Sequence, residues 1–182
     1  MTHSKRILVS ICFVITSHTA TAAMHLSKQG IGQVLIFPYY TVNNNLNTIY
    51  TVINTTPDPK AIKVRFLEGQ NSFEVLDFNV YLDAYDVWTG ALGPGQSTFS
   101  GHHGEPTAIH YHQDQSCVPY LPTEQQFLPF VLNIEDPLND HMQRVREGHI
   151  EIIEMATFNG STVGWADAGL TGVPANCGAI EA

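Results

Sequence analysis

The sequence predicts an all-β fold: an antiparallel, immunoglobulin-like sandwich with a long loop-rich insertion, carried behind an export signal. Three observations lead there. Between residues 33 and 92 apolar or alternating runs recur at short intervals, divided by clusters of Asn, Pro and Gly. Such spacing, roughly every 8–12 residues, is typical of sandwich and barrel strands. Inside two of those runs the apolar period is two, which suits a strand and would scatter the same side chains around a helix. The start of the chain also places the protein in an oxidising compartment, where its last two cysteines become a candidate cross-link.

Residues 1–23 have the anatomy of a secretory signal. Lys5 and Arg6 precede an apolar stretch at 7–15, and a small, polar segment ends Ala20-Thr21-Ala22-Ala23. Cleavage is expected after Ala22 or Ala23. The apolar stretch is too short for a bilayer, which needs roughly 20 residues. Cys12 follows Ile11 inside it, a poor context for a lipid anchor. Removal leaves 159 residues in a single domain, 24–182, enough for a real core. The leader takes two of the eight basic residues and no acidic one, so six basic side chains face seventeen acidic ones and the net charge goes from −9 to −11. That field repels phosphate backbones, so nucleic acid is excluded as a partner class. No membrane span is expected in the mature chain, which should be periplasmic, on the cell surface or extracellular.

Each element then follows in order. Residues 33–42 form an apolar and aromatic strand, with Pro38 marking an edge or a bulge. Asn43-Asn44-Asn45 is a turn cluster tolerant of positive φ. Residues 46–54 are rich in β-branched side chains, and the two runs are expected to pair as a hairpin. Thr55-Thr56-Pro57-Asp58-Pro59 is a second turn. At 61–67, Ile62, Val64 and Phe66 share one face and Lys63 and Arg65 the other. Glu68-Gly69-Gln70-Asn71 turns the chain into 72–82, where Leu76, Phe78, Val80 and Leu82 oppose Asp77, Asn79 and Asp83. Residues 84–92, with Trp88, make a fifth strand. Residues 93–137 are expected to be largely loop, with short strands near 107–112 and 127–132. Asp136 and Pro137 could open a short helix ending before Gly148. At 149–157, Ile150 and Ile152 share a face while Ile153 and Met155 take the other, so either both faces are buried or a bulge shifts the phase. No later strand is expected to close the sheet.

Cys12 leaves with the leader, and Cys117 and Cys177 remain. A bridge between them would close a loop of about 60 residues and be worth about 4 kcal/mol in the chain-entropy model. Two free thiols, or pairing with another chain, are the other readings.

Four blocks taken together resemble an uncharacterised group of secreted β-rich proteins from Gram-negative bacteria. They are Val34-Leu35-Ile36-Phe37-Pro38-Tyr39-Tyr40-Thr41-Val42, then Lys63-Val64-Arg65-Phe66-Leu67-Glu68-Gly69 leading into Glu74-Val75-Leu76-Asp77-Phe78-Asn79-Val80-Tyr81-Leu82, then Asp86-Val87-Trp88-Thr89-Gly90, and Gly148-His149-Ile150-Glu151-Ile152-Ile153-Glu154-Met155. The resemblance covers most of residues 30–178. It implies export and a β-rich domain, and it implies no activity and no site residue. It also implies that this chain is an N-terminal portion of a longer member.

The chemistry-bearing residues are few. Seven histidines follow the leader, and His102, His103, His110 and His112 fall close together, with Glu105 and Asp114 nearby. In a strand His110 and His112 would project from one face, roughly 7 Å apart, and with a carboxylate could hold Zn²⁺ or Cu²⁺. Against this, the spacing matches no metalloenzyme motif, and histidines in a loop of an acidic secreted protein are often only solvated. Asp77, Asp83 and Asp86 could serve glycoside hydrolysis or hold Ca²⁺, but they also suit a solvated sheet face and a capped turn. There is no G-x-S-x-G, and Gly30-Ile31-Gly32 is too short for a phosphate loop. Asn54-Thr55-Thr56 and Asn159-Gly160-Ser161 fit the N-glycosylation pattern, which matters only in a eukaryotic host. The aromatic residues of the strand half are read first as core and second as an exposed face for a partner. The leading expectation is therefore a secreted, non-enzymatic module without a cofactor that binds a protein or glycan. The alternatives are a periplasmic metal-binding protein using the histidine segment and a hydrolase built on carboxylates.

Overall fold

The computed structural model describes residues 26–128 and 140–180. The expected leader, the expected helix start at Asp136 and Pro137, and residues 129–132 of the expected strand lie outside the described residues. Among the described residues eight strands run in chain order: β1 (Val34–Thr41), β2 (Thr48–Ile53), β3 (Lys60–Glu68), β4 (Glu74–Leu82), β5 (Val87–Gln96), β6 (Pro106–Tyr111), β7 (Glu124–Gln126) and β8 (Glu147–Thr157). Two single-turn helices follow, α1 (Val163–Ala166) and α2 (Cys177–Ile180). The strands form two antiparallel four-stranded sheets, β1-β8-β3-β4 and β2-β5-β6-β7. The fold is an all-β sandwich. In the constant-type immunoglobulin arrangement the first two strands share a sheet. Here they lie in opposite sheets.

That separation corrects the expected hairpin. β1 pairs with β8 and β2 pairs with β5. Asn44 and Asn45 both take positive φ, as the turn cluster suggested, but they carry the chain across the sandwich. Thr48 Oγ1 donates to the Thr41 carbonyl (2.9 Å) and accepts from the Thr41 amide (3.0 Å), satisfying backbone groups that a ladder would have used. The reason is burial. Tyr40 and Val42 from one side and Tyr50 and Val52 from the other enter the same core. A hairpin would have spread both apolar faces on a single sheet.

β3 and β4 keep the expected alternation. Ile62, Val64 and Phe66 pair in register with Val80, Phe78 and Leu76, and all six are buried. On the outer face the charges are paired across the strands. Arg65 reaches Glu74 (2.8 Å) and Glu151 (2.9 Å), Lys60 reaches Glu154 (2.6 Å), and Lys63 pairs with Asp77. Partly exposed pairs of this kind contribute about 0–1 kcal/mol each. They secure solubility and register more than stability.

β5 runs to Gln96, through Gly93-Pro94-Gly95, where loop was expected. β6 pairs along its whole length, from Ala91↔Tyr111 to Gln96↔Pro106. Gly95 makes room for the side chain of Ile109, which a Cβ would strike. The glycine that reads as a breaker in sequence is here a packing requirement. β6 matches the expected strand near 107–112. β7 lies just ahead of the later one, of which only 127 and 128 are described, and Phe127 is fully buried and bonds through its amide to the Ala108 carbonyl (3.0 Å).

β8 resolves its own phase problem by a bulge. Ala61 faces Ala156 and Ile62 faces Glu154, leaving Met155 as the extra residue. Ile150 and Ile152 point inward, and Met155 is exposed. β8 lies between β1 and β3, so this late strand is interior to its sheet. The core between the sheets is unusually aromatic. Phe66 sits at its centre, with ring centroids of Phe127 at 5.2 Å, Tyr50 at 5.6 Å, His110 at 5.7 Å, Tyr40 at 5.9 Å and Phe78 at 6.3 Å.

The β4 edge of the sandwich is tied down by later chain. The Tyr81 amide donates to the Cys117 carbonyl (2.9 Å) and the Leu128 amide to the Val75 carbonyl (2.7 Å). Cys117 is disulfide-bonded to Cys177, with Cα atoms 5.4 Å apart. The bridge therefore pins α2 to the sandwich. Among the described residues no helix is long and apolar enough to cross a membrane.

Candidate functional site

The four candidate metal ligands do not converge. His102 and His103 ride the turn between β5 and β6. His102 Nδ1 meets Glu105 Oε1 at 3.1 Å and its Nε2 lies 3.6 Å from Asp140 Oδ1, while His103 is exposed. Glu105 is held below the usual carboxylate range, chiefly by the Met142 amide (2.7 Å), and its role is to fasten that turn to the Met142–Arg146 helical turn.

His110 and His112 do share a face, as the strand period required, with ring centroids 6.1 Å apart. That face is the core. His110 is fully buried, and its Nε2 lies 2.8 Å from Tyr50 Oη. Trp88 Nε1 donates to the same phenol oxygen at 3.3 Å. An indole can only donate, so the phenol oxygen accepts from Trp88, and the direction of the Tyr50–His110 bond follows the imidazole tautomer. Burial, with a smaller contribution from the nearby His112, pushes His110 down to about 3, and the ring is neutral at physiological pH. Burial likewise raises Tyr50 and Tyr40 well above ordinary tyrosine, so both phenols stay protonated. Gly90, opposite Tyr50 in the β2–β5 ladder, leaves the space this phenol occupies. His112 stacks obliquely on Trp88 at 4.9 Å. Among the described residues, no three His, Cys, Asp or Glu side chains are grouped to hold a metal ion.

The candidate carboxylates have structural partners. Asp77 pairs with Lys63. Asp83 accepts from the amides of Ala84 (2.7 Å) and Ala168 (2.9 Å), which anchors the segment after α1. Asp86 accepts from Val87 N (2.8 Å) and Ser116 Oγ (3.0 Å), capping its turn as the sequence allowed. Asp114 accepts from Ser116 N and Oγ and from Thr89 N.

Sequence reasoning missed two features. The first is Glu68. Its carboxylate is fully buried and accepts from the amides of Gln70 (2.7 Å), Asn71 (2.8 Å) and Phe73 (3.2 Å) and from Arg144 Nη2 (3.2 Å). Burial alone would raise it. The three amides and Arg144 outweigh that and leave it below the ordinary carboxylate value. An acidic residue just ahead of a Gly-Gln-Asn turn was the available signal.

The second is a cleft of about 460 Å³ along β4. Its walls are residues 76–79 and Tyr81 of β4, the segment after Cys117 together with Gln125 of β7, and Ile180 of α2. Lys63, Asp77 and Asn79 supply polar groups, Leu121 and Leu128 supply apolar ones, and Tyr120 stands at the rim. Tyr120 is 90 % exposed and has φ +64°. Nothing in the sequence flagged it, because the cleft exists only once the disulfide brings the C-terminal turn beside β4.

Compared with protein-family models, with curated proteins and with solved structures, the chain matches none.

Proposed function

We propose that this chain is an exported, non-enzymatic binding module, immunoglobulin-like in the broad sense of a two-sheet sandwich, that engages a protein or glycan outside the cytoplasm. One observation carries the reading: a mixed polar and apolar cleft of about 460 Å³, built on a rigid sheet and walled by disulfide-held chain. That volume lies within the roughly 300–1,000 Å³ of small-ligand sites. The extension to extracellular binding rests on fold-level analogy. The test is saturable binding of labelled, oxidised protein to cell envelopes of a Gram-negative host. Binding competed by unlabelled protein and lost in Cys117→Ser/Cys177→Ser supports the module. Absence of saturable binding overturns it.

A second reading, a periplasmic Zn²⁺- or Cu²⁺-binding protein, is favoured by one observation. His110 Nδ1 and both ring nitrogens of His112 are buried without a hydrogen-bond partner. Stoichiometric metal surviving purification and lost in His110→Ala/His112→Ala would support it, and metal content unchanged in that variant would end it.

A further inference from the structure

We infer that the cleft beside β4 is a site for a neutral saccharide, with Tyr120 as its stacking platform. This rests on the binding-module reading and gives it a ligand class.

Three features of the cleft point to this chemistry. The first is Tyr120. A non-glycine residue at φ +64° stores backbone strain, and a bulky side chain there is a rare choice. Burial does not compensate, because the side chain is 90 % exposed. What the position offers is a flat aromatic ring at the mouth of a cleft. The apolar C–H face of a pyranose packs on such a ring while its hydroxyls remain free for polar partners.

The second is the polar wall. Lys63 and Asp77 neutralise each other, so the wall presents a donor and an acceptor without net charge. Hydroxyl groups, which both donate and accept, complement such a pair. Asn79, beside it on β4, also lines the cleft, and its buried Oδ1 has no hydrogen-bond partner among the described residues. The third is the surrounding field. Six basic and seventeen acidic side chains follow the leader. An anionic ligand is repelled by the surface as a whole and finds the one cleft lysine already paired, while a cation finds Asp77 already neutralised. A neutral polyhydroxyl ligand carries neither penalty.

The experiment applies the oxidised protein to an array of neutral and acidic glycans, followed by calorimetry with the best neutral oligosaccharide. The variants are Tyr120→Phe, Tyr120→Asn and Asn79→Ala. Asparagine tolerates the left-handed backbone, so Tyr120→Asn should melt no lower than the parent while weakening binding at least tenfold. Tyr120→Phe should keep binding within about threefold. Asn79→Ala should weaken it several-fold. Neutral-glycan binding indifferent to Tyr120→Asn, or binding confined to acidic glycans, would overturn the site. An array with no neutral hit also overturns the saccharide, and the envelope assay then decides the broader reading. Saturable envelope binding that survives glycan stripping leaves a protein-binding module standing, whereas absence of saturable envelope binding removes both readings.

Discussion

Glu68 and His110 are both sealed from solvent, yet the fold keeps one charged and the other neutral. Glu68 sits at the end of β3 where the chain turns, and that turn aims three backbone amides at its carboxylate while Arg144 closes from the helical turn before β8. His110 sits in β6 where that strand pairs on both sides, with Leu92 of β5 and Gln125 of β7, and its surroundings are aromatic rings. Its one bond is to a neutral phenol. Burial penalises charge at both places. The difference lies in what the backbone has left to give: a turn has free N–H groups, and a paired strand has none.

The largest test of this contrast is Glu68→Gln, which keeps the shape, removes the charge and takes one buried partner from Arg144. A loss of about 3–5 kcal/mol is expected in urea unfolding. A loss under about 1 kcal/mol would mean that the amides suffice without the charge. Next is Tyr50→Phe, which leaves His110 Nε2 and Trp88 Nε1 buried and unbonded; about 1–3 kcal/mol should be lost. The same substitution leaves the turn at Glu68 intact, so amide exchange there should keep its order of protection relative to the rest of the molecule.

The two groups should also separate by pH. The folded pKa of His110, about 3, lies below the ordinary 6.5. The unfolded chain therefore binds the extra proton first, and stability falls as pH drops from about 6.5 toward 3, with a slope of up to about 1.4 kcal/mol per unit. Glu68 is also lowered, so its contribution is present above the ordinary 4.5 and is lost only as pH falls through its still lower folded value. His110→Gln should remove the slope between pH 6 and 5 while leaving the steeper acid transition. A slope unchanged in that variant would show that another group titrates there. The smallest expected effect is at Tyr120. Relief of left-handed strain in Tyr120→Asn should raise stability by at most about 1 kcal/mol, and a clear drop in melting temperature would show that the ring packs on something.

The histidines show how far residue pattern alone could go. The period of two placed His110 and His112 on one face, and they are on one face. Whether that face met water or the core depended on which sheet lay opposite, and the opposite sheet is contributed by β3, over forty positions earlier in the chain. The alternation in β3 and β4 was legible for the opposite reason. Lys63, Arg65, Asp77 and Asn79 label the outward face chemically, so burial of the other face needed no tertiary knowledge. The Asn cluster at 43–45 announced a turn but not its direction, because positive φ at Asn44 and Asn45 is compatible with a hairpin or with a crossing between sheets. Gly93-Pro94-Gly95 read as loop since propensity is a local quantity, and full pairing with β6 overrode it.

By itself, the sequence determined the all-β class, the strands with two chemically distinct faces and the turn at Glu68, since each depends on local periodicity or turn chemistry, and it left Cys117 and Cys177 as a candidate pair that the structure joins. Tertiary structure alone decided the partner of each strand, the burial of Glu68 with Arg144, the protonation of His110 and the existence of the cleft beneath Tyr120. Those properties arise between segments far apart in the chain, and only the meeting of two sheets sets the dielectric, the hydrogen-bond partners and the space that define them.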